Sequence, residues 1–151
     1  MRKQKRVSKY KTFYILQVGV AVVTKAGVGE LSDYLVNRTS STRPGSPPFN
    51  VRPSKVRSKP NAIQLNWQEP LKPNGDMRNG RYEISYAYRD HEKNYVEKLA
   101  STNMRNFLLN NLAFNAKYDI KIRACTSSDE SIEFLCGDWA AKIFQTGIGR
   151  K

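Results

Sequence analysis

Three short stretches alternate apolar and polar residues with a period of two, and they constrain the fold most. In AIQLNW (62–67), Ile63, Leu65 and Trp67 alternate with Gln64 and Asn66. In RYEISYAYR (81–89), Tyr82, Ile84, Tyr86 and Tyr88 share one parity. In KYDIKIRA (117–124), Tyr118, Ile120, Ile122 and Ala124 alternate with Asp119, Lys121 and Arg123. Successive side chains of a strand point to opposite faces, so each stretch buries one face and wets the other. No run carries helical periodicity. NYVEKL (94–99), NFLL (106–109) and AKIFQT (141–146) are weaker strand candidates, and QEPLKPNGDMRNG (68–80), with two prolines and two Asn-Gly steps, is a loop. About seven short strands in roughly 100 residues predict an all-β, antiparallel sandwich.

Ahead of these strands, SSTRPGSPP (40–48) holds three prolines and a glycine, which forbid a central strand and suit a linker. Earlier still lies an internal repeat. GELSDYLVNRT (29–39) and GDWAAKIFQT (137–146) share a glycine, an acidic residue and a closing alternating run that ends in Thr. Each follows an alternating, Tyr-containing run. The spacing is that of tandem modules.

These residues resemble the fibronectin type III family. PGSPPFNV resembles its Pro-rich approach to the first strand, and AIQLNWQEP its second strand, with Trp67 as the core tryptophan. RYEISY resembles the third strand, with Tyr82 in the family's tyrosine position. In FLLNNLAFNAKYDIKIRA, Leu112 and Tyr118 stand at the spacing of the family's Leu…Tyr corner, and GDWAAKIFQT resembles its last strand. The resemblance implies a seven-stranded immunoglobulin-like sandwich at 49–147, a Pro-rich linker at 40–48 and a short tail at 148–151. It also implies a truncated module at 1–39: the last two strands of a preceding copy behind a basic tail. TKAGVGELSD then resembles the family's tight turn, and either Tyr14 or Leu16 holds the truncated module's corner. The chain is on this reading a piece of a longer array.

FYILQVGVAVV (13–23), after a basic opening, has a second reading as a secretory signal. Gln17 interrupts its apolar core, Lys25 spoils the cleavage site, and the alternation Leu16, Val18, Val20, Val22 favours a strand. A secretory signal is then expected upstream. No apolar run reaches the roughly 18–20 residues of a membrane span.

The net charge is +13, from 26 Lys and Arg against 13 Asp and Glu over 151 residues. Such a balance favours polyanions. Arg52, Lys55, Arg57 and Lys59 are a candidate heparan-sulfate stripe; the competing reading is a charged edge strand that blocks strand pairing. The tyrosines at period two suit sheet packing better than nucleic-acid stacking. Cys125 and Cys136 flank a predicted hairpin loop, whose two ends lie close enough that a disulfide is expected, with two free thiols as the alternative. Asn37-Arg38-Thr39 is an N-glycosylation triplet within a predicted strand. One histidine and two cysteines make a zinc site a poor fit. Asp90-His91-Glu92 sits in a predicted turn with no nucleophile beside it, and hydrolase, P-loop and metalloprotease motifs are absent. Neither Arg-Gly-Asp nor the Trp-Ser-x-Trp-Ser box occurs.

The resemblance therefore implies a non-catalytic interaction and spacer module without a cofactor. Its expected setting is the extracellular side of a cell-surface protein, with other surface or matrix proteins and neighbouring modules as partners. The loops at 71–80 and 126–135 are expected to form the partner surface. The alternatives are an intracellular cytoskeletal scaffold, with reduced cysteines, and an accessory domain of a larger receptor phosphatase or kinase.

Overall fold

Strands and connecting loops account for the whole of the described chain, residues 15–89, 95–127 and 133–148 of a computed structural model. No helix occurs among the described residues. The strands are β1 (Ile15–Val18), β2 (Ala21–Thr24), β3 (Gly27–Leu31), β4 (Leu35–Arg38), β5 (Phe49–Val56) and β6 (Lys59–Gln68). They continue as β7 (Arg81–Arg89), β8 (Tyr95–Thr102), β9 (Asn106–Leu109), β10 (Lys117–Ser127), β11 (Phe134–Cys136) and β12 (Ala140–Gln145).

From β5 onward the strands form two antiparallel sheets. One runs β5-β6-β9; the other runs β11-β10-β7-β8, with β12 also on β10. β11 and β12 are one strand in two pieces, both paired to the same side of β10. The alternating stretches place Ile63, Leu65, Ile84, Ile120 and Ile122 between the sheets, each at most 1% exposed. β5 is an edge strand and carries Pro53 in mid-strand, where a missing N–H costs no interior ladder bond.

Two anchors close the sandwich. Trp67 and Tyr82 are 4% and 2% exposed and pack edge-to-face, ring centroids 5.3 Å apart. At the corner before β10, Leu112 is buried, and the Ala113 N–H donates to the Tyr118 hydroxyl at 2.9 Å. Asn111 and Asn115 take positive φ in this corner, a conformation asparagine tolerates better than most residues. Thr146 locks it from the far end of the chain: its hydroxyl donates to Ala113 O at 2.7 Å and accepts from Ala116 N at 2.9 Å.

Residues 15–38 form a bent hairpin. β1 pairs with β4 and β2 with β3, each as a two-stranded sheet. Its turn differs in detail from the expected one. The chain reverses at Lys25 and Ala26, closed by Thr24 opposite Gly27, whose φ of 133° favours glycine. Gly29 lies inside β3 rather than in the turn. Ile15, Val18, Val20, Val22, Val23 and Leu35 are all more than half exposed, since among the described residues no second sheet covers the hairpin. Tyr14 lies outside the described residues, as do the basic tail and Asp90-His91-Glu92.

Candidate interaction surface

The loop from 69 to 80 joins β6 to β7 at one end of the sandwich, and the chain entering the domain binds to it. Thr42 N donates to Asn74 O at 2.9 Å, Gly45 N to Lys72 O at 2.8 Å, and Asn74 Nδ2 to Arg43 O at 3.2 Å. On β10, the Thr126 hydroxyl donates to Thr42 O at 2.9 Å. Pro44 and Pro48 are buried. Asn74 adopts the positive φ that its Asn-Gly step favours, and Gly75 lies where a Cβ would come within 2.7 Å of Thr126 Cγ2. Residues 40–48 are thus tied to the domain along most of their length. They bind both the 71–80 loop and Thr126, and so cover part of the expected partner surface; residues 128–132 lie outside the described set.

The solvent-facing side of the β7–β10 sheet carries a second cluster. Arg123 donates two hydrogen bonds to Glu83 Oε2, at 2.8 and 2.6 Å, and Arg81 donates one to Glu83 Oε1 at 2.6 Å. The Arg81 guanidinium lies 4.1 Å from the Phe134 ring centroid and that of Arg123 4.5 Å from Trp139. Burial pushes the Glu83 carboxyl upward, but the bonds from Arg123 and Arg81 outweigh it and hold the group below the usual glutamate range. The stack clips β11 and the break at 137–139 to the sheet. Beside it, Cys125 and Cys136 face each other across β10 and β11 and form a disulfide, so neither thiol is free. The Glu83 carboxylate lies within 4.8 Å of both sulfurs, yet sulfurs bonded to each other are not thiolate ligands.

The basic stripe does not assemble on one face. Arg52 pairs with Asn66 on the solvent side of β5, whereas Lys55 pairs with Ile63 on the side that faces the core, at its rim. Arg57 lies in the turn beyond β5 and Lys59 begins β6; all four are exposed. A register shift between Lys55 and Val56 breaks the alternation on which the stripe depended. Asn37 lies exposed in β4, its Oδ1 accepting from Arg38 N at 2.7 Å. The Arg81–Glu83–Arg123 cluster was not singled out from the sequence, although the odd parity opposite the tyrosines on β7 marks Arg81 and Glu83 as a same-face pair.

The sequence profile described as "Fibronectin type III domain" matches residues 46–134. The chain belongs to the fibronectin type III family. It is 40% identical over 75 residues to human "Ephrin type-A receptor 5", an overlap covering 46% of this chain and 7% of that protein. It is 30% identical over 114 residues to "Receptor-type tyrosine-protein phosphatase S" of Gallus gallus, covering 74% of this chain and 7% of that protein. The chain thus spans about 7% of the length of these receptors. Among solved structures, the rat CD45 extracellular region, domains d3–d4, matches with a TM-score of 0.67 and 18% identity, over 96% of this chain and 70% of that one. That match shows a shared fold.

Proposed function

We propose that this chain is a non-catalytic interaction and spacer module of a receptor ectodomain, an accessory segment of a larger receptor kinase or phosphatase. The observation that carries the reading is the Cys125–Cys136 disulfide, within a family domain whose relatives are named as receptors. Disulfides persist on the oxidising side of the membrane and are rare in the cytosol. Among the described residues no helix is long and apolar enough to cross a membrane.

Residues 1–39 are read as the last strands of a preceding module, 40–48 as its linker, 49–147 as the complete domain and 148–151 as a tail. The two hairpins support this. β3 ends at Leu31 and β4 starts at Leu35; β11 ends at Cys136 and β12 starts at Ala140. Across both breaks one backbone bond holds the strand: Ser32 N to Val20 O at 2.8 Å and Gly137 N to Ala124 O at 2.9 Å. For Arg52, Lys55, Arg57 and Lys59 the scattered geometry favours solvated edge charges over a heparan-sulfate stripe. Exposed Asn37 is the glycan acceptor of this reading.

The test is expression of the chain behind a secretory leader in cultured animal cells. The expected product is secreted, has no titratable thiol when denatured, carries a glycan lost in Asn37→Gln, and is captured by a member of a cell-surface ectodomain array. Two free thiols in the secreted, denatured protein sink the extracellular reading, and silence across the array sinks the interaction role.

A further inference from the structure

On its other side the 69–80 loop faces the turn at 103–105, and the cleft between them serves none of the contacts above. It encloses about 450 Å³ and is lined by Glu69, Met77, Arg78, Tyr82, Met104 and Arg105, with Asn103 and Asn106. One lining group is anomalous. The Tyr82 hydroxyl is buried, in a residue 2% exposed, and has no hydrogen-bond partner. A buried hydroxyl left unpaired is destabilising, and most buried polar side chains are satisfied. The ring is held in place against Trp67.

The charges around the hydroxyl are few and incompletely matched. Burial and the charge of Glu69 push the Tyr82 phenol up to about 12, against the opposing effect of Arg105, so it is an O–H donor at every physiological pH. Arg105 reaches Glu69 only at 3.7 Å and is 63% exposed at its side chain, which leaves most of its fork of donors open. Arg78 binds Asp76 at 2.8 Å and is 87% exposed. The cleft therefore presents a buried neutral donor beside two guanidinium groups, Arg78 already matched by Asp76 and Arg105 only loosely matched by Glu69. Met77 and Met104 supply adaptable apolar wall.

We propose that this cleft receives a carboxylate side chain from an acidic segment of a partner protein, one oxygen accepting from the Tyr82 hydroxyl and the other from Arg105. A carboxylate accepts charge-assisted bonds from both donor types at once. The +13 charge of the chain steers an acidic partner toward it. The inference rests on the reading of the chain as an interaction module and names the partner chemistry of one site.

The experiment is a ¹H–¹⁵N NMR titration of the full chain with an acetylated, amidated pentapeptide, Gly-Asp-Glu-Asp-Gly, and its Asn/Gln analogue. Backbone amides at 77–82 and 103–106 are expected to shift with the acidic peptide and not with the neutral one. Tyr82→Phe and Arg105→Gln are expected to weaken binding about tenfold, and Tyr82→Phe to keep or raise the melting temperature because it removes an unsatisfied group. Absent shifts, equal shifts with both peptides, or unchanged affinity in Tyr82→Phe overturn the proposal. So does a heparin octasaccharide that shifts the same amides as strongly. If an ectodomain from the array binds Tyr82→Phe as tightly as the original chain, the interaction reading stands and the cleft falls; if none binds at all, the broader reading fails first.

Discussion

Tyr118 and Tyr82 are both buried tyrosines, but only one hydroxyl is used. Burial raises the Tyr118 phenol, and the bond from Ala113 N–H opposes that rise. Tyr118→Phe leaves the Ala113 N–H without an acceptor at a tight corner, and we expect a loss of about 1–2 kcal/mol, read as a lower urea midpoint. Glu83 gives the acid response. Its folded pKa lies below its unfolded one, so its contribution is complete above the unfolded value and is lost as pH falls through the folded value. Wild-type stability should therefore drop on acidification through and below the ordinary glutamate range. Glu83→Gln should lose about 1–2 kcal/mol at pH 7, discounted for partial exposure, and show a smaller acid decline. Parallel urea titrations at pH 7 and pH 3 check both; equal acid declines in the two proteins reject the role assigned to Glu83. The tyrosine parity was legible because alternation is local. The pairing of Glu83 with Arg123 was not, since it links residues 40 positions apart and depends on which strands become neighbours.

Strands were legible where the pattern ran longest, and their neighbours were not. AIQLNW marked only the middle of β6, which extends from Lys59 to Gln68 because β5 supplies ladder partners at both ends, Val56 opposite Lys59 and Phe49 opposite Gln68. The prolines of 40–48 correctly excluded a strand, but docking of that segment depends on Thr126, 84 residues away. Thr126→Val keeps the shape and deletes the donor. We expect a loss of about 1 kcal/mol and faster hydrogen exchange at Thr42 and Gly45, with the core strands unchanged. β11 depends on its crosslink more than its length, as it has three residues. Replacing both Cys125 and Cys136 by Ser should cost roughly 2–3 kcal/mol on the loop-entropy account, measured by thermal unfolding. An unaltered midpoint contradicts that account of β11.

At the level of the whole molecule, stability is divided unevenly between the two parts of the chain. The sandwich buries a contiguous cluster from both sheets, from Val51 to Ala124. The 15–38 hairpin has two strands per sheet, apolar side chains in water and no sheet across from it. Isolated hairpins are marginal in water, and exposed apolar strands with free edges invite intermolecular pairing. Among the described residues both edges of that hairpin are open, and Gly19 lets Leu31 and Tyr34 fold down to within 3.1–3.2 Å of a would-be Cβ, which shields only one spot. Cooperative unfolding should therefore report the sandwich alone. Residues 40–151 expressed by themselves keep Thr42, Pro44 and Pro48 and their contacts, and should melt within about 2 °C of the full chain, since a 1 kcal/mol change shifts a domain of this size by several degrees. They should also stay monomeric at concentrations where the full chain self-associates, as judged by light scattering. A melting temperature that falls by more than several degrees on removal of residues 1–39 means that the hairpin carries part of the fold, and refutes the division drawn here.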